Sequence, residues 1–144
     1  MKKVISIVLC LTVALMLFAG CASVATYNGS GDKATTVALR IVTMDGEKLF
    51  DDKVKVVDDS PTVYMALKAA AEAKKLTLDV VDEQTPESMF LNGIGDLVSE
   101  NPNFWMFYVN QALSELGMGT QALADNDVVE FIYGDYNNGY VSVK

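Results

Sequence analysis

The stretch SPTVYMALKAAAEAKK, residues 60–75, decides the fold. Val63, Ala66, Leu67 and Ala70 recur at the spacing of one helix face. Ser60 suits the N-cap and Pro61 the first helical position. Asp58 and Asp59 precede this start, near the positive end of the helix dipole, and Lys74 and Lys75 close the segment at its negative end. The reading predicts one helix over residues 62–75.

Around this helix the hydrophobic period switches to two. On its N-terminal side, Val37, Leu39 and Ile41 alternate with Thr36, Ala38 and Arg40, which predicts a strand with one buried face. Asp45-Gly46 is a hairpin turn signal, and the return strand turns Val54 and Val56 inward with Lys53 and Lys55 outward. On the C-terminal side, Leu76, Leu78 and Val80 alternate. Residues 82–88 form a polar loop, and residues 89–98 a strand interrupted at Asn92-Gly93-Ile94-Gly95. Residues 104–109, Phe-Trp-Met-Phe-Tyr-Val, are the strongest strand in the chain. The last strand, residues 128–133, follows the turn Asp125-Asn126-Asp127. A hairpin, one helix and then further strands leave one helix to cover one face of a mixed sheet. This is an α+β fold with the β-grasp arrangement of ubiquitin-like domains. The first and last strands lie side by side at its centre, the last burying Val129, Phe131 and Tyr133.

The N-terminus reads differently. Lys2 and Lys3 precede an uncharged run over residues 4–18, which ends in Phe18-Ala19-Gly20-Cys21. The run is shorter than the roughly 20 residues a permanent membrane span needs, so it reads as a cleaved leader. Small residues before a cysteine suit the lipoprotein signal peptidase, and the thiol of Cys21 accepts the lipid. The segment resembles a lipobox with Phe18 where leucine is usual. The expected organisation is a signal peptide over residues 1–20, a flexible tether over residues 21–34 carrying lipidated Cys21, and one domain over residues 35–144. A tether of a dozen polar and small residues holds that domain some ~20 Å off the lipid. The expected location is the extracytoplasmic face of a cell membrane.

Composition narrows the chemistry. Of 11 basic residues, Lys2 and Lys3 leave with the leader, so nine face 19 acidic ones, a balance that argues against nucleic acid as a partner. Cys10 leaves with the leader as well, and lipid occupies Cys21. The mature chain then has no free thiol and no disulfide. It contains no histidine, which closes Ser-His-Asp triads, Cys-His dyads and His-based metal sites. The expectation is a protein that is not an enzyme and holds no metal or resident cofactor. Asp125, Asn126, Asp127, Asp135, Asn137 and Asn138 are oxygen-rich, but their spacing reads as turn chemistry. The pairs Asp51-Asp52 and Asp58-Asp59 read as a charged loop and a helix start.

The aromatic strand carries apolar residues on both sides. A sheet with one helix buries only one face in its own core. The reading turns Phe104 and Tyr108 toward the helix and leaves Trp105 and Phe107 on a face that needs a cover. That cover is a ligand, or the segment 112–124 with Leu113, Leu116, Met118 and Leu123.

Residues 104–110, the run Leu113-Ser114-Glu115-Leu116-Gly117 and residues 127–134, with the helix before them, resemble the transcobalamin-like C-terminal domain family over residues 35–136. Gln111 stands where bacterial members usually have glycine. The resemblance implies a β-grasp fold. In the animal cobalamin carriers it is the smaller lid of a two-domain clamp, whose larger helical domain supplies the rest of the pocket. By that match the ligand-facing residues are Leu91, Asn92, Ile94, Trp105 and Phe107. The implied ligand is a corrinoid or a similar small molecule, held with the help of a partner protein. The rival reading is a protein-interaction or adhesion module at the cell surface.

Overall fold

A computed structural model describes residues 23–138. The leader and Cys21 lie outside the described residues. In chain order the elements are β1 (Ala25–Asn28), β2 (Ala34–Val42), β3 (Lys48–Val57), α1 (Val63–Lys74), β4 (Leu78–Val81), β5 (Phe90–Ile94), β6 (Leu97–Val98), β7 (Asn103–Val109), β8 (Ala112–Leu113) and β9 (Val128–Asp135). They build a mixed α+β fold of β-grasp architecture. Six strands form one sheet in the order β1-β3-β2-β9-β7-β8, and β4-β5-β6 form a second, smaller one.

The centre matches the expectation. β2 and β9 pair in parallel, Leu39 beside Val129 and Ile41 beside Phe131. These residues join Val37, Val54, Val56, Val63 and Leu67 in the main core. Burying a side chain such as Val63 or Leu67 contributes about 1.5–3 kcal/mol. Helix α1 packs mainly on β1 and β3, to one side of the sheet. Its contact face is rich in Ala66, Ala69, Ala70 and Ala71, all buried, whose small side chains let the backbone come close. The β7 side of the sheet is left to other segments.

The helix starts later than its sequence predicts. Thr62, not Ser60, is the N-cap, and it makes no side-chain cap; Pro61 stays outside the helix. Tertiary contacts replace the cap. The N–H groups of Val63 and Tyr64 donate to the carbonyls of Gln121 and Met118, and Leu123 donates to Pro61. Asp58 serves a different end: it accepts the N–H groups of Ser60 and Ser30, both at 2.8 Å. At the C-terminus, Lys75 adopts the left-handed conformation (φ 56). Leu76 donates to Ala71 and Lys75 to Glu72, closing the helix in a Schellman arrangement.

Two further readings are corrected. The stretch expected as a tether contains β1, which pairs in parallel with β3, Ala25 beside Val54 and Asn28 beside Val57. Ala25 and Tyr27 pack against the core, a pattern of two apolar positions that is too short to show a period in sequence. The faces of β7 are also the reverse of the prediction. Directly opposed residues of an antiparallel pair share a face. The register sets Trp105 beside Tyr133, Phe107 beside Phe131 and Val109 beside Val129. Trp105 therefore belongs to the main core with α1, while Met106 and Tyr108 join Ile132 on the other face.

The acidic turn before β9 is a fastening. Asp125 accepts the N–H of Thr36, and Asp127 accepts those of Ala124 and the Asn110 side chain, each at 2.8 Å. Asn110 in turn accepts the N–H of Val128.

Candidate functional site

The β7 side of the sheet holds an open cleft of about 370 Å³. One wall is β7 itself, from Phe104 to Phe107, with Phe131 of β9 behind it. The second wall is Met89, Phe90 and Leu91 at the start of β5. The third is Leu113 of β8 with the segment that follows it: Ser114, Leu116, Gly117 and Met118. Tyr136 completes the lining.

The chain makes this hollow by leaving β8 early. The β7–β8 turn places Asn110 and Gln111 at φ 51 and 70, the doubly left-handed pattern of a type I′ hairpin. β8 ends after two residues, so it covers only the last part of β7. The chain then folds back over the sheet. Met118 and Leu123 drop into the core, whereas Leu113 and Leu116 stay at the rim, 45% and 55% exposed. The segment expected as a cover thus covers in part and leaves the rest open. Ser114 Oγ lies 2.8 Å from Gln121 Oε1 and also accepts the N–H of Leu116, which fixes the rim loop. Gly119 is required by close approach: a Cβ there would lie 2.7 Å from the Pro86 carbonyl oxygen.

Of the five ligand-facing residues implied by resemblance, the structure brings three to the cleft: Leu91, Trp105 and Phe107. Trp105 is only 5% exposed, and its indole N–H donates to the Leu97 carbonyl at 2.9 Å. Its ring tilts against Tyr133 with centroids 5.2 Å apart. Phe107 is half-buried and stacks obliquely on Phe131 at 5.6 Å. The other two lie elsewhere. Ile94 is fully buried in the core, and the Asn92 amide donates to Asp79 at 2.6 Å across the β4–β5 pair. Phe90, Phe104, Leu113 and Leu116 are among the cleft residues outside those five. Phe90 directly precedes Leu91, and its 46% exposure was not legible without the β5 register.

The lining is chemically simple. None of the described residues lining the cleft carries a charge, and its side-chain hydroxyls are those of Ser114 and Tyr136. Such a surface is suited to apolar groups, and the residues lining it offer no nucleophile–base pair. On the opposite face of β7, burial pushes the Tyr108 phenol up, with a smaller contribution from Tyr136. Across the molecule, burial and a hydrogen bond to Glu83 push up the Tyr64 phenol, outside the cleft. Among the described residues no group of three or more His, Cys, Asp or Glu side chains is arranged to hold a metal ion.

A β-grasp domain with an uncharged apolar cleft at one sheet edge is the class that fold and site define. Residues 60–135 match the family described as "Domain of unknown function (DUF4430)", and the chain belongs to that family. No curated protein matches the chain. Among solved structures the fold is similar to that of haptocorrin in complex with Cbi, with a TM-score of 0.59 and 14% identity, over 76% of this chain and 27% of that one. It is also similar to a putative metal binding protein from Ruminococcus gnavus ATCC 29149, with a TM-score of 0.50 and 9% identity, over 74% of this chain and 99% of that one. At these identities the likeness is one of fold. The chain spans about a quarter of the length of haptocorrin.

Proposed function

We propose that this protein is a membrane-anchored, extracytoplasmic binding module that takes the apolar part of a small molecule into the cleft beside β7. The observation that carries the reading is the cleft wall itself, where Phe90, Phe104, Phe107, Leu113 and Leu116 remain partly or largely exposed around one hollow. Apolar clefts of roughly 300–1,000 Å³ are the usual size for small-molecule sites. This one is at the low end of that range and open, so it takes all of a small ligand or one edge of a large one.

A corrinoid is the first candidate. The fold is similar to part of haptocorrin, which is in complex with Cbi, and a corrinoid carries methyl groups among the amide chains of its broad edge to offer the cleft. A partner protein would close the open side of the cleft over the rest of the ligand, since the chain spans only about a quarter of haptocorrin. The anchor in this proposal is lipid on Cys21. The module binds without catalysis.

The test is purification of the native protein from membranes in mild detergent, followed by equilibrium dialysis of the stripped protein against cyanocobalamin. A coloured corrinoid carried through purification, or saturable uptake in dialysis, supports the reading. A colourless protein that takes up no cyanocobalamin removes the corrinoid as ligand. A protein–protein role is favoured by the exposed rim leucines, and a stable partner on the native protein that masks Leu113 and Leu116 would support it.

A further inference from the structure

The place of β1 in the sheet constrains how an anchored domain sits on a bilayer; this inference rests on the proposed lipidation of Cys21. Four residue steps separate Cys21 from Ala25, the first residue of β1. Fully extended, they span at most about 14 Å. Beside Ala25 lies Val54 of β3, and β3 reaches back from there to Lys48. That is roughly 20 Å at the rise of a strand, with the β2–β3 turn still beyond it. The turn end of the sheet is thus farther from Ala25 than the anchor can reach, and the domain cannot stand on that end. The flank of β1 presents no such obstacle, because β1 is the terminal strand of its sheet.

We infer that the β1 edge is the membrane-facing side of the domain. The strand order β1-β3-β2-β9-β7-β8 then sets the cleft wall β7 four strand spacings away, about 19 Å, on the side turned from the lipid. The cleft mouth is presented outward, to solutes or to a partner, and the open strand edge of β1 is shielded by the bilayer.

Single-cysteine labelling tests this in the lipidated full chain. Thr26→Cys and Leu116→Cys, both at exposed positions, each carry one environment-sensitive fluorophore. The proteins are reconstituted into phosphatidylcholine vesicles containing a headgroup-nitroxide lipid, and the mass of the lipid on Cys21 is read from the same samples. The expected result is severalfold stronger quenching at Thr26 than at Leu116, with the difference reduced by a Gly-Ser insertion after Ala22. Lipidated protein quenched equally at both positions, or more strongly at Leu116, overturns the orientation and makes the leucine rim the membrane face. Absence of lipid on Cys21 overturns the anchoring proposal, and this inference with it.

Discussion

The indole N–H of Trp105 donates to the carbonyl of Leu97 at 2.9 Å, joining β7 of the large sheet to β6 of the small one. The ring is nearly buried and packs in the main core, so Trp105 fastens the two sheets together as well as lining the cleft. Trp105→Ala is therefore expected to cost about 3–5 kcal/mol, as deletion of a buried aromatic does. Trp105→Phe keeps much of the volume but takes the donor from Leu97, and should cost about 1–3 kcal/mol. Denaturant titration followed by circular dichroism checks both. A loss within about 0.5 kcal/mol for Trp105→Ala would contradict this role.

Gln111 holds φ at 70 in the second central position of the β7–β8 turn. Left-handed backbone costs a residue with a Cβ about 1–2 kcal/mol, a cost glycine does not carry. Gln111→Gly also frees the unfolded chain, which offsets part of the gain. The net expectation is stabilisation by about 0.5–1 kcal/mol, read as a higher denaturation midpoint with an unchanged slope.

Gly119 lets the rim loop lie against the loop at Pro86. A methyl group there would sit 2.7 Å from the Pro86 carbonyl oxygen and 2.9 Å from its Cα. Gly119→Ala must push the two loops apart. It should cost about 1–3 kcal/mol, as overpacking does, and speed amide exchange at Gln121, whose N–H bonds to Gly117.

Two backbone donors, Ser60 first and Ser30 second, hold the Asp58 carboxyl below the usual carboxylate range. Their stabilising effect is complete above the ordinary aspartate value of about 3.9 and fades as pH falls through the lowered folded value. Asp58→Asn should be less stable than the parent at pH 7, and the gap should narrow below about pH 4. Thermal melts of both proteins from pH 7 to pH 3 check the sign; a gap that widens on acidification would contradict it.

The parts of the fold legible in sequence were those with a repeated period. Val37, Leu39 and Ile41 announced β2, and Val63, Ala66, Leu67 and Ala70 announced α1. Apart from the central β2–β9 pair, pairing between distant segments was not legible. The choice of face for Trp105 depends on its register with Tyr133, and nothing local to residues 104–109 fixes that register. β1 depends on β3 for its hydrogen bonds, so its four residues carried no signal of their own. The start of α1 moved for the same reason: Gln121 and Met118, far along the chain, satisfy donors that a local cap was expected to satisfy. At the cleft, Leu91, Trp105 and Phe107 were reached through family resemblance. Leu113 and Leu116 read in sequence only as part of a cover, because an exposed rim leucine and a buried one look alike there.

The claim that the cleft beside β7 is the binding site is tested most directly by the emission of Trp105, the single tryptophan in the chain, as cyanocobalamin is added. The comparison protein is Leu116→Asp, which puts a charge on the rim at a position 55% exposed and should change stability by less than about 1 kcal/mol. Saturable quenching is expected in the parent, with a midpoint at least about tenfold higher in the variant, a loss of ~1.4 kcal/mol of binding. Quenching that rises without saturation, or saturates at the same midpoint in both proteins, would contradict it.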